Sequence, residues 1–401
     1  MIHHHLHRPL VALALLALLV ACSDDGGSTD GSPDASNAAD TGAQEDAGVD
    51  ASGDATTDTG EAPREHEQVI TADWLNQTLT LLDYGRLTRG EEEPVRGIVD
   101  LSRYAPGPLQ VEVAPGGAVA VVSVGPGFFD GALGALVGAL EGAVVPGGTL
   151  LIVDLDAKVV RAELETRHVP MGIAISPDGT RAYTANFGTA DARGDSMSVI
   201  DLTTDTILTE VTVGGGPEQV ALSEDGTRGL INLAGGGGVV TFSTEDVAGS
   251  LSATIATGRD PSDLAFMGAG RAVVANSQSF DAVLVDLNEE VVVGTLSLAG
   301  GGFPYGVDRV PGTSRVVLTG AGGVSTLTVA EVSGDTLSVV GAPIELQGGG
   351  FPLNAAVSSD GRFAFVPHAS DGGLSIVDLD SGEVRLYGWV EQTGPTYVTL
   401  D

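Results

Sequence analysis

The chain predicts an all-β fold, a seven-bladed β-propeller of four-stranded antiparallel blades. Three observations carry that expectation. Residues 170–216 read as four short strands in a row, and the pattern restarts at Pro217. A proline after a Gly-rich turn recurs at Pro108, Pro170, Pro217, Pro261, Pro304, Pro352 and Pro395. Most of these steps are about 45 residues, the period of a four-stranded blade. The last repeat keeps only its first strand, 396–400, while the three missing strands are found near the other end of the chain. One blade cannot bury both faces of its sheet, so it must stack on copies of itself.

Residues 1–21 read as a secretory signal: Arg8 in a polar start, then an apolar run over 10–20 that is too short to span a bilayer. The run ends in Leu19-Val20-Ala21-Cys22, which resembles the bacterial lipobox. That resemblance implies a lipid anchor on Cys22, the one cysteine of the 401-residue chain. Ser23 rather than Asp follows it, which by resemblance to sorting signals points to the outer membrane. The His3-His4-His5 tract lies in the part to be removed and carries no functional argument.

Residues 22–64 are expected to be a disordered acidic tether. Between 23 and 63 there is no Lys or Arg and almost nothing large and apolar to bury. The acids there lack the D-x-D-x-D-G spacing of a calcium loop. Residues 65–401 are then the propeller, held by packing alone because they contain no cysteine.

Inside the repeats, each prolyl strand entry can spare its N–H. The first hairpin turns around Asp178-Gly179, Asp225-Gly226, Pro311-Gly312 and Asp360-Gly361, whose glycines accept positive φ. The third strand recurs as Leu151–Asp154, Ser198–Asp201, Val283–Asp286 and Ser375–Asp378, its last Asp placed to cap the following turn. Val69–Asp73 matches Ala182–Asn186, Leu79–Asp83 matches Met197–Asp201, and Arg96–Leu101 supplies a fourth strand. The seventh blade is therefore expected to take three strands from the N-terminal side and one from the C-terminal side, which closes the ring without exposed edges.

These phrases, P-x5-S-x-D-G-x2-A-Y-x2-N and S-V-I-D, resemble the YVTN or YncE-like β-propellers of the quinoprotein amine dehydrogenase-like superfamily. The resemblance spans the whole domain and is strongest over 170–213. It implies the fold and leaves function open, since the architecture carries binders, scaffolds and enzymes alike.

Second-to-third strand loops and fourth-to-first connections share one face, and the unusual sequence gathers there. An apolar insertion at 125–148 carries Phe128 and Phe129. It reads as a flap, a partner contact, or a helix packed on its own blade. The loop 187–195 is expected to be polar and exposed, with Phe187 and Arg193; its Arg193-Gly194-Asp195 tripeptide is given no role. Residues just after each proline are expected at the channel mouth, among them Met171, Glu218, Asp263, Tyr305 and Asn354. Glu218, Asp263 and Asn354 form a candidate oxygen-ligand set for Ca2+, comparable to that of propeller lactonases, against the plainer reading of a polar rim. His66, His168 and His368 are the histidines outside the signal; His368 is placed on the loop face.

No nucleophile elbow, HExxH or phosphate loop is present. A formal charge of −36 with one lysine argues against a nucleic-acid partner. The sequence thus favours a non-enzymatic envelope lipoprotein that binds a protein, peptide or envelope polymer, with no cofactor. The alternative is a calcium-dependent, lactonase-like hydrolase.

Overall fold

The computed structural model describes residues 67–125, 148–189, 193–298, 302–322, 324–348, 350–369, 372–388 and 394–401. Within them the chain is a seven-bladed β-propeller. Blade one joins Pro395–Leu400 to Gln68–Asp73, Thr78–Asp83 and Val95–Asp100. Its closing pair is antiparallel, with Thr71 opposite Val398. The expected three-plus-one closure is what forms. Blades two to seven follow in chain order, each a simple meander. Their inner strands are Pro108–Val113, Ile173–Ile175, Pro217–Leu222, Pro261–Gly268, Phe303–Arg309 and Ala356–Val357.

The repeat phrases are local hydrogen-bond devices. In Ser176-Pro177-Asp178-Gly179, Ser176 Oγ donates to Asp178 Oδ1 at 2.6 Å and accepts from Arg181 N at 2.9 Å. Gly179 takes the left-handed φ of 69° that closes the turn. Ser223-Asp225 and Ser358-Asp360 repeat the arrangement. The Asp ending each third strand caps the outer turn as expected: Asp154 receives Ala157 N, Asp201 Thr203 N, Asp286 Asn288 N and Asp378 Ser381 N. Asp83 instead starts a short helix, Tyr84–Arg89, by accepting Arg86 N at 2.8 Å.

Where the repeat is degraded, the outer edge changes. Blade four has Ser243 in place of the capping Asp, and its outer strand shrinks to Ile255–Ala256. Blade six runs its third strand on to Ser333 before returning.

Apolar clusters lie between blades. One joins Ile70 and Leu79 of blade one to Val111, Val122 and Leu151 of blade two. Another joins Tyr183 and Met197 of blade three to Ile231 and Phe242 of blade four. Inter-blade burial of this kind holds the ring without disulfides.

Blade one puts a carboxyl where blades three and five carry an asparagine towards the end of the second strand. Asn186 of blade three donates to Ser196 and Ser198 and accepts from Thr184. Blade one puts Asp73 at that position, ringed by the hydroxyls of Thr71, Thr78 and Thr80. Asp73 is fully buried, and burial pushes its pKa up to about 7. A raised carboxyl pKa means the folded state holds its proton more tightly. Stability is then full below about pH 4, the unfolded value, and is lost as pH rises through about 7. Asp73→Asn copies the blade-three network. It is expected to raise the melting temperature by several degrees at pH 8, with the gain shrinking towards pH 5. A loss of stability at pH 8 in a thermal melt would contradict this.

Candidate functional site

The inner strands are buttoned to each other around the axis. Thr396 Oγ1 of blade one donates to Leu109 O of blade two at 2.9 Å. Ser262 Oγ of blade five donates to Tyr305 O of blade six at 3.0 Å. Asn232 of blade four accepts Gln219 N within its blade and donates to Pro261 O of blade five. Asp308 of blade six accepts Val357 N of blade seven at 2.8 Å. Between blades three and four the backbones meet directly, Gly172 N donating to Glu218 O at 2.8 Å. A side chain at Gly172 would lie 2.5 Å from Gln219 Cα, so only glycine permits this approach.

Three of the residues predicted to line the mouth belong to this buttoning. Asn354 of blade seven donates to Val398 O at 2.8 Å and accepts Val398 N at 3.1 Å, so both ends of its amide are taken by blade one. Asp263 accepts Leu264 N and, from blade six, Val307 N, each at 2.8 Å. Glu218 accepts the Tyr305 hydroxyl at 2.5 Å; that bond runs from blade six to blade four, past blade five. Tyr305 is buried, and its hydroxyl pKa lies well above the ordinary value because of burial and the Glu218 charge. The oxygens of Glu218, Asp263 and Asn354 are therefore turned to protein partners and do not form a shared ligand set. Among the described residues no three His, Cys, Asp or Glu side chains are grouped to hold a metal.

The loop-face expectations divide. Met171 and Phe187 are buried together with Ala234, and Phe187 belongs to the strand Arg181–Gly188 rather than to an exposed loop. The reason is register: the second and third strands of blade three run on to pair Gly188 with Arg193. Arg193 is exposed and lays its guanidinium over the Phe187 ring, 4.7 Å from the centroid. Beside it, His168 Nε2 stands 3.5 Å from Asp195 Oδ1. His368 is not on the surface. It is fully buried in blade seven, with Nε2 2.8 Å from Ser375 Oγ. Ser375 spends its single proton on Gln347 O, so Nε2 of His368 is the donor in that pair. Phe128, Phe129 and Cys22 lie outside the described residues.

Sequence reasoning missed the acids deeper in the channel. Glu112 of blade two and Asp308 of blade six sit four residues after their repeat prolines. Tyr397 of blade one feels the charges of Glu112, Asp263 and Asp308, so groups from opposite sides of the ring meet near the axis. Each of the three acids is partly open to solvent yet enclosed by protein, as in a narrow channel. Burial, then the Asp308 charge, pushes Glu112 up to about 8. Burial pushes Asp263 and Asp308 up to about 7 and Glu218, helped by Asp260, up to about 8. The signal that could have found them is an acid at an inner-strand position that is alanine in four blades, Ala174, Ala221, Ala265 and Ala356, and Thr399 in blade one.

No protein-family model matches the chain, and no curated protein matches it. Solved structures do match in fold. A protein of unknown function from Desulfotomaculum acetoxidans is 15% identical over 83% of this chain and 98% of its own, with a TM-score of 0.66. A Bacteroides uniformis protein provisionally assigned as a 6-phosphogluconolactonase is 12% identical over 84% of this chain and 100% of its own, at 0.65. The hydrazine synthase of Kuenenia stuttgartiensis is 18% identical over 69% of this chain and 77% of its own, at 0.56. At these identities the likeness is one of fold.

Two outcomes follow from the channel. Asn354→Ala strips two backbone groups of Val398 of their partner and is expected to cost about 2–4 kcal/mol in denaturant unfolding. The raised acids give stability that is full near pH 4 and drains away as pH rises through about 7 to 8. Melting temperature should therefore fall from pH 5.5 to pH 8.5, and Glu112→Gln with Asp308→Asn should flatten that slope. An unchanged slope in the double variant would refute the assignment.

Proposed function

We propose that the chain is a binding module rather than an enzyme: an envelope lipoprotein anchored in the outer membrane through Cys22. Residues 22–64 act as the tether, and the propeller engages a protein, peptide or envelope polymer with its second-to-third loop face. The observation that carries this reading is the platform of Arg193 stacked on Phe187 over Met171 and Ala234. An arginine held flat on a buried aromatic loses little entropy when it meets a partner, and such pairs recur as binding hot spots.

A second reading, lactone hydrolysis, draws on the fold likeness to the Bacteroides uniformis protein. Against it stands the commitment of Glu218, Asp263 and Asn354 to internal partners. A hydrolase needs an acid or base free to meet its substrate.

The test is retention of the full chain on immobilised envelope protein extract and, separately, on purified peptidoglycan. Arg193→Glu is expected to weaken retention on one of them about tenfold, with an unchanged melting temperature. Equal retention of variant and wild type would sink the platform. Lactone turnover that survives Arg193→Glu and is lost in Glu218→Gln would replace this reading with the second.

A further inference from the structure

A cleft of about 680 Å³ opens on the face opposite the second-to-third loops. The first hairpin turns of blades four and five and the end of the inner strand of blade six form it. Its apolar surface is Leu222, Leu264, Ala265 and Phe266, with Phe266 partly buried against the core of its blade. Its polar surface is mixed: Thr227, Glu224 and Asp308 stand beside Arg228 and Arg309.

The two arginines are in different situations. Arg228 is spent, donating to Asn288 Oδ1 at 3.1 Å and to Leu287 O at 3.0 Å. Arg309 reaches from blade six to Glu224 of blade four, a contact of 3.4 Å to a side chain that is 87% exposed. Its Nε is buried and has no hydrogen-bond partner. That Nε is covered by protein, so an acceptor from outside meets the accessible guanidinium end, whose contact to Glu224 is long and solvent-exposed and leaves N–H groups to offer.

The surroundings limit what that acceptor can be. Glu224, Asp225 and Asp308 outnumber the two arginines at the rim, and the chain carries a formal charge of −36. Asp225, tied into its turn, has its pKa held down to about 2 and stays charged. A phosphate or carboxylate would be repelled. A cation would leave the Arg309 donor unmatched. A neutral group with hydroxyls can accept from Arg309, donate to the exposed Glu224, and lay an apolar C–H face on Phe266.

We propose that this cleft is a binding site for a neutral carbohydrate, with Arg309 as the hydrogen-bonding anchor and Phe266 as the stacking floor. A mono- or disaccharide fits the volume. The ligand is either a free sugar or a sugar unit at the end of a longer glycan; both present the same chemistry. The site is distinct from the Arg193–Phe187 platform and does not depend on it.

The experiment is calorimetric titration of the full chain with methyl glucoside, methyl galactoside, cellobiose and a cello-oligosaccharide with a free chain end, with gluconate and inorganic phosphate alongside. Millimolar or tighter binding of at least one neutral sugar is expected. Arg309→Ala and Phe266→Ala should each weaken it tenfold or more, while Arg193→Glu leaves it unchanged. Binding of the small glycosides marks a free-sugar site, and binding of the oligosaccharide alone marks a glycan-end site. Arg309→Gln, which keeps bulk and a donor, guards against a folding defect: it should retain part of the affinity and the wild-type melting temperature. No binding by any neutral sugar overturns the proposal. So does tighter binding of gluconate or phosphate, or sugar binding indifferent to both cleft variants.

Discussion

The structure depends on how seven inner strands are kept at the right distance from one another around an axis too narrow for a hydrophobic core. Apolar clusters hold neighbouring blades face to face, but they sit outside the axis. Near the axis the work passes to short polar side chains that reach the backbone of the next blade: Thr396, Ser262, Asn232, Asp263, Asp308 and Asn354. These are directional contacts between groups that would otherwise be buried and unpaired, so each fixes a spacing as well as adding stability.

The same logic explains why acids that looked like ligands are structural. A carboxylate that accepts two amides is stabilised as an anion, yet burial works the other way and leaves Asp263 and Asp308 titrating near neutrality. The axis is therefore held together by groups whose charge the protein only half tolerates. Tyr305 on Glu218 at one end and Arg309 towards Glu224 at the other both cross from blade six to blade four over the inner strand of blade five. Blade five is thus clasped at both ends. Both proposed binding surfaces include elements of blade four: Ala234 under the platform and Leu222 with Glu224 in the cleft.

Much of this was legible in the residues. Ser176-Pro177-Asp178-Gly179 and the Asp closing each third strand are local chemistry, complete within a few residues, so their spacing alone predicts the turns. The three-plus-one blade could be read because its strands match the phrases of blade three one for one. The site was less legible. Which way Asn354 or Glu218 turns depends on another blade some 44 or 87 residues away, the next one for Asn354 and the next but one for Glu218, which no local pattern encodes. Phe187 was misjudged because two strands that look finished at Asn186 and Ser196 continue by pairing with each other. Arg309 gave no signal, since its reach to Glu224 two blades away is set by the ring and not by local sequence.

The closing blade also sets an order of events in time. Thr396 meets Ala72 across 324 residues of sequence, and Gln68 meets Asp401 across 333. Contacts of such separation are the slowest to find, because everything between must first be compact. Until then Gln68–Asp73 presents a free strand edge that could recruit the wrong chain. Its alternatives at that stage are a neighbour's closing strand or its own. Domain exchange between two copies during assembly is the hazard this ring carries, and the polar pairing of Asn354 with Val398 rewards whichever strand arrives in register.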